Sequence, residues 1–427
     1  MHASFVRLLA IFTLILSFLL PGRAAAQNQT NDPLVNQQQY LFDVHNIDQA
    51  WNYTTGSSNV TIGLYSMLGF TQNHEDLSSS RLKSPVGSLL KPKLDVASQM
   101  VGIVGANTNN GVGMTGIDRA AQLQSYSALR STPECPQDCD EEEAVTVDRP
   151  NGTTETYYLN LYQFSDIVEQ GRTNGVDVHL FSFGLPSPLP PDYDIPEPQD
   201  SIPVNLPRPL PNTPWDAVKQ AAVTAFERAN SNAVCGNPFG TPLTWLLGDC
   251  TSRPNPYQQF SESVGFAVAK DGAVAVGPAG DLEADGDLPI RFTPALRDRY
   301  SVTVGGLQYE SGVGSEPIAW DNTRPAPYVD VAGFAKNVVG VSGAGSSQYD
   351  TDFTSTAASA SIGAGVASFL KAEMPALTGE DIEEILKRTA RDAGPPVKMK
   401  QRAPEPSTPT RPYRTSATMM CSAVGNL

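Results

Sequence analysis

The run Val60–Tyr65 has the continuous apolar pattern of a buried strand, Ser66 follows it, and a turn at Gly69 comes next. In open α/β folds the carboxyl end of such a strand faces the ligand. A charged or nucleophilic group is the natural occupant of that place, and the sequence puts Ser66 and Met67 there. A serine hydroxyl does nucleophilic chemistry only when a base takes its proton. The candidate bases are few: His2, His45, His74 and His179. His74 reads first as a local hydrogen-bonding residue. Metal chemistry is weakly supported by the cysteines, because Cys135 and Cys139 form one C-x3-C pair with no matching histidine cluster. The five cysteines fit an oxidising compartment better, with Cys235 and Cys250 closing one loop, Cys135 and Cys139 a tight one, and Cys421 left over.

The elements around these residues alternate between strands and helices. Strand patterns occur at Val60–Tyr65, Val176–Phe183, Ala273–Gly277, Ser301–Gly305 and Tyr328–Val331. Helical patterns occur at Ile47–Tyr53, Gln99–Val104 and 356–372, and LTGEDIEEILKRTA is a final amphipathic helix with Thr378 and Asp381 as a capping box. This order implies a mostly parallel, doubly wound sheet with helices on both faces. Residues 131–156 read as a loop, with the acid run Asp140–Glu143 as solvated surface. Eleven prolines in 186–214 mark an extended surface insertion, Thr213 and Pro214 open a helix after it, and a second insertion lies near 230–260.

The amino terminus reads as a targeting segment. Leu8–Leu20 is apolar but for Thr13 and Ser17, and Ala24–Ala26 supplies small residues for cleavage. Residues 1–26 therefore form a secretory signal peptide, too short to serve as a membrane span, and the product is expected to be soluble, exported and monomeric. The domain occupies 27–396, and 397–427 is a proline-rich basic tail expected to be disordered. The formal charge is −16, and loss of Arg7 and Arg23 with the leader makes it more negative. That argues against nucleic acid or anionic lipid as a partner. Glycosylation sequons occur at Asn28, Asn52, Asn59 and Asn151.

Several blocks in this order resemble the subtilases, the subtilisin-like serine proteases. The segment from Asp32 to Tyr65 resembles their mature amino terminus, and His74-Glu75-Asp76-Leu77 resembles their His-Pro-Asp-Leu. VASQMVGIVGANTNNGVGMTGI resembles the histidine block with its Asn/Gly loop, and AVAVGPAGD resembles the strand ending in Ala-Ala-Gly-Asn. YVDVAG and AGVASFLKAEMPALTGEDIEEIL complete a resemblance that covers about residues 32–392. It implies a subtilisin-like fold and acyl transfer by a serine, a histidine and an aspartate.

The same resemblance shows each role displaced. Ser66 stands where the family carries its aspartate, Val96 where it carries its histidine, and Asp281 where it carries the oxyanion asparagine. The nucleophile position falls on Ala357 when counted without gaps back from Pro375, or on Ser355 when FTS is read as the family's Gly-Thr-Ser. A carboxylate at 281 would repel a developing oxyanion. The resemblance also implies a structural calcium held by Asp76 and Asn110, with carbonyls near Asn107, Val112 and Met114. Ser182, Phe183 and Gly184 match the segment that pairs with substrate backbone, which could bind an extended peptide by strand addition. The expectation is a secreted, catalytically inactive homologue that binds a peptide, an inhibitor or a protease. The alternative is a divergent endopeptidase acting through Ser355.

Overall fold

The computed structural model describes residues 30–66, 69–87, 96–128, 130, 142–148, 154–182, 185–186, 263–264, 267, 271–281, 290–291, 301–323, 329–393 and 418–419. The leader, all five cysteines, the body of both insertions, the helix start at Thr213, Phe183 and Gly184 lie outside these residues. The helices are α1 (Val35–His45), α2 (Ile47–Ala50), α3 (Val96–Gly105), α4 (Leu161–Thr173), α5 (Thr356–Glu373) and α6 (Gly379–Thr389). The strands are β1 (Thr61–Ser66), β2 (Gln122–Ser127), β3 (Glu142–Asp148), β4 (Thr154–Asn160), β5 (Val178–Phe181), β6 (Leu185–Pro186), β7 (Val274–Pro278) and β8 (Ile290–Arg291). They continue with β9 (Val302–Tyr309), β10 (Pro317–Ala319), β11 (Val331–Phe334), β12 (Val338–Val341), β13 (Tyr349–Phe353), β14 (Arg391–Asp392) and β15 (Thr418–Met419).

The main sheet has the order β14-β15-β11-β9-β7-β5-β1-β2, and β10 pairs antiparallel with β9. The contacts from β2 through β1, β5, β7 and β9 to β11 are all parallel. Such strands are buried on both faces, which is why TIGLYS and VAVGP are covered throughout. Alternation along each strand divides the side chains between two layers. Ile62, Leu64, Val178 and Leu180 join the core that includes α1, α3, α5 and α6. Tyr65, Tyr126 and Phe181 join a second core with Phe164, Ile167 and Val168 of α4. The doubly wound, mostly parallel α/β sheet read from the sequence is the observed architecture.

α5 is the central element. It crosses β5, β7, β9 and β11 and packs on α3. Helix and sheet approach closely at small residues: a Cβ on Gly333 of β11 would lie 3.3 Å from Ser359 Cα of α5, and on another side of the helix a Cβ on Gly365 would lie 2.6 Å from Ile117 Cγ2. The capping box of α6 forms as expected, Asp381 N donating to Thr378 Oγ1 (3.2 Å) and Thr378 N to Asp381 Oδ2 (2.8 Å).

Several expectations are corrected. The run 131–156 is not all loop, because β3 and β4 pair antiparallel from Glu142↔Asn160 to Asp148↔Thr154, so Glu142 and Glu143 sit in a ribbon. Of the strand expected at Tyr328–Val331, Tyr328 lies outside the described residues; the observed strand is Val331–Phe334, with Asp330 N donating to Thr303 O (3.0 Å) and the Asp330 carboxylate accepting from Thr303 N (2.9 Å) and Lys387 Nζ (2.9 Å) at its entrance. Thr418 and Met419, inside the tail expected to be disordered, form β15 between β11 and β14. Among the described residues no helix is long and apolar enough to cross a membrane.

The contact of α3 with β12 gives a test. A Cβ on Gly102 would sit 2.7 Å from Val341 N and 2.8 Å from Val341 Cγ2. Helix propensity favours Gly102→Ala by about 1 kcal/mol, but the clash with backbone outweighs it, at about 1–3 kcal/mol for overpacking. The variant is expected to unfold at lower urea than the parent with unchanged m-value.

Candidate functional site

The site lies where the carboxyl ends of the central strands meet the amino termini of α3 and α5. Ser66 closes β1 and is 3 % exposed. Its Oγ accepts from Gly69 N at 2.7 Å, and its carbonyl accepts from Ala128 N at 3.0 Å. Two more buried serines continue the arrangement. Ser125 Oγ of β2 accepts from Phe70 N (3.1 Å), and Ser98 Oγ of α3 accepts from Thr71 N (2.8 Å). Three consecutive backbone donors, at 69, 70 and 71, are thus taken by hydroxyls from three elements. Ser66 is wired into a turn and carries no charge that could orient a histidine.

Val96 opens α3, and its side chain is 41 % exposed. An isopropyl group there can neither accept nor give a proton. The described histidines do not replace it. His74 Nδ1 accepts from Asp76 N (3.2 Å), which leaves Nε2 to donate to the Gln348 carbonyl (2.9 Å), so both ring nitrogens are occupied. His45, on α1, accepts from Phe334 N at 3.4 Å through Nε2. His179 is buried on β5, and neither ring nitrogen makes a hydrogen bond. Burial, and after it the Arg172 guanidinium, pushes His179 down to about 3, opposed only weakly by the Val176 backbone, which lies near the ring without hydrogen-bond geometry.

At the other side of the site the structure brings Asp281, Ser355, Thr356 and Ala357 together. α5 begins at Thr356, and Ser355 is its N-cap with extended backbone. Ser355 Oγ accepts from Ala357 N (3.1 Å), and its carbonyl accepts from Ala358 N (3.0 Å). Asp281 Oδ1 accepts from Thr356 N (2.8 Å) and from Thr356 Oγ1 (2.7 Å). A helix amino terminus carries unpaired N–H groups and partial positive charge, which attract anions. Here those groups are already taken by the chain's own carboxylate and hydroxyl. Thr356 was missed in the sequence, although a threonine beside an N-cap serine is the kind of residue that closes such a terminus.

The remaining assigned residues fall as follows. Ser182 follows β5, and its N–H donates to Tyr65 O (3.0 Å). Asp76 and Asn110 do come together: Asn110 Nδ2 donates to Asp76 Oδ1 (2.7 Å), and Met114 N donates to Asp76 Oδ2 (2.8 Å). Asn110 keeps its own oxygen for Val112 N (3.1 Å). Calcium needs oxygens pointing inward, whereas these carboxylate oxygens face N–H protons. The arrangement does not fit the cation expected from the sequence. Among the described residues no group of three or more His, Cys, Asp or Glu side chains is placed to hold a metal ion.

Comparison with known proteins agrees with this fold. The chain superposes on a protease of Pseudoalteromonas arctica PAMC 21717 with a TM-score of 0.52 at 17 % identity, over 85 % of this chain and 93 % of that one. It superposes on the MycP3 protease of the type VII (ESX-3) secretion system with a TM-score of 0.50 at 16 % identity, over 95 % and 89 %. No family model matches the sequence, and no curated protein matches it. That corrects the family assignment suggested by the sequence blocks. What is shared is the subtilisin-like protease fold, and membership of the subtilase sequence family is not carried by this chain.

His179 gives a pH dependence with a definite sign. Its folded value, about 3, lies below its ordinary 6.5. The unfolded chain therefore binds a proton as pH falls through about 6.5 while the folded one does not, and stability is lost progressively below that pH until about 3. At pH 5 the loss is about 2 kcal/mol relative to pH 7 and above, at roughly 1.4 kcal/mol per unit. Urea titrations at pH 7 and pH 5 should show this loss in the parent and a smaller one in His179→Phe, which keeps a ring against Tyr65.

Proposed function

We propose that this chain is a secreted, non-hydrolytic protein on a subtilisin-like fold that binds an extended peptide, or a protease or inhibitor protein, at the carboxyl edge of its sheet. One observation carries the reading. The N–H groups that open α5, which a hydrolase would hold ready for a developing oxyanion, are closed by Asp281 and Ser355. Ser66 and Val96 support it, because neither residue can orient or act as a base. Ser182, which follows β5, supports peptide binding, and the resemblance of Ser182, Phe183 and Gly184 to a substrate-pairing segment adds to that. The leader at residues 1–26 supports export.

The test has two arms. The mature chain is incubated with a fluorophosphonate probe and a denatured-protein substrate, beside an active subtilisin-like protease. It is also immobilised and presented with that protease, its protein inhibitor and extended peptides. No labelling, no turnover and saturable binding are expected. Turnover abolished by Ser355→Ala would overturn the reading in favour of a divergent endopeptidase. Asp281→Asn should leave turnover at zero while lowering stability by about 1 kcal/mol, the usual worth of a charged group at a helix amino terminus.

A further inference from the structure

The loop after α3 holds a dense polar network around Asp32 that the site does not use. Asp32 is 2 % exposed, and its carboxylate faces the loop. Oδ2 accepts from Asn109 N (3.0 Å) and Thr115 Oγ1 (2.7 Å), and Oδ1 accepts from Asn110 N (3.2 Å) and Gly111 N (3.4 Å). Three consecutive backbone N–H groups therefore enclose one carboxylate, the geometry of an anion-binding nest. Asn109 (φ 60°), Gly111 (φ 76°) and Gly113 (φ 49°) take left-handed backbone, which shapes the turn around the anion.

Neighbouring bonds tie the same amino-terminal segment to the same loop. Asn31 Oδ1 accepts from Gly111 N (3.0 Å), and Leu34 N donates to Gly113 O (2.7 Å). Gln38 brackets Thr115, its Nε2 donating to Thr115 O (2.8 Å) and its Oε1 accepting from Thr115 N (2.8 Å). Thr115 gives its hydroxyl proton to Asp32, so Thr30 Oγ1 is the donor in the 2.8 Å bond between the two threonines. On the far side of the loop Asp76, fully buried, takes Asn110 Nδ2 and Met114 N. A Cβ on Gly113 would lie 1.9 Å from Tyr349 Oη and 2.1 Å from Asp76 Oδ2, so this space is filled by protein. The Arg119 guanidinium lies 3.7 Å over the Trp51 ring and feels the Asp32 charge.

We infer that loop 107–115 is a metal-independent latch, closed by the internal carboxylates Asp32 and Asp76, through which the amino-terminal segment 30–38 clamps the end of α3. The latch orders the loop by N–H donors converging on fixed anions, the reverse of the polarity a cation site needs. It holds whether or not the sheet edge binds a peptide.

The mature protein is followed by thermal unfolding in excess EDTA and in millimolar CaCl2, and by limited proteolysis of the folded state. The parent should unfold at the same midpoint in both solutions. Asp32→Asn places an amide against the N–H groups and should lower the midpoint by about 2–4 °C, with new cleavage within 109–113. Should that variant fail to fold, Asn31→Ala, which removes one side-chain bond to the latch, and Thr115→Val, which removes two, should show the same changes in smaller degree, still without response to CaCl2. A saturable rise of the parent's midpoint with CaCl2, reversed by EDTA, would overturn the inference. So would variants with the parent's midpoint and protease resistance.

Discussion

The amino terminus of α5 is the constraint around which the rest is arranged. This helix of 18 residues is buried along most of its length, and its first turn opens at the carboxyl edge of the sheet. Its N–H groups need partners. A hydrolase of this fold would leave such donors for the substrate, and a stable resting protein closes them from within. Here Thr356 N, Ala357 N and Ala358 N all have internal partners. The same logic runs through the facing loop, where three serines satisfy the donors of Gly69, Phe70 and Thr71. Residues that would be poised for reaction in an acyl-transfer site are committed to structure on both sides.

The two cores explain how one sheet supports this edge. Tyr126, Tyr65 and Phe181 stack across β2, β1 and β5 with centroids 4.6 and 4.9 Å apart. They fill the α4 layer with flat rings, while aliphatic neighbours on the same strands fill the α5 layer. The cost of the aromatic layer is polar. Tyr65 Oη and both nitrogens of His179 are buried without partners, and burial raises the Tyr65 hydroxyl well above its ordinary value. The first layer positions the site, and the second carries a histidine whose pKa burial lowers.

Much of the fold was legible because its signals are local. β1 and β7 are short apolar runs, and the Thr378/Asp381 box marks α6 within four residues. β2 was missed because QLQSYS looks polar. Its Gln124 is accommodated by side-chain bonds, donating to Ser84 O and accepting from Tyr126 Oη. The β3–β4 ribbon was hidden by its acid run, and α1 by the three glutamines Gln37, Gln38 and Gln39, which blur its apolar stripe. At the site, the order of motifs pointed to positions 66, 96, 281 and 355–357. What those residues do was not legible, since Asp281 meets Thr356 across 75 positions and Asp32 meets Asn109 across 77. Pairings of that separation leave no periodicity to read. The order of motifs also suggested a closer kinship than the comparisons support, because a shared fold constrains glycines and short strands even where sequence identity is low.

The serine at the end of β1 bears on any attempt to install a Ser-His-Asp triad at these positions. Exchanging Ser66 for aspartate alone would place a charge at a nearly dry position and disturb the bond to Gly69 N, with no imidazole at 96 to compensate it. Installing histidine at 96 first would give it no carboxylate to hold it. An amide at 281 would remove the negative charge beside the first turn of α5 before any reaction could reward the loss. Each substitution is thus disfavoured until the others are present. The steps are epistatic, and a path through single changes descends in stability before it rises in activity.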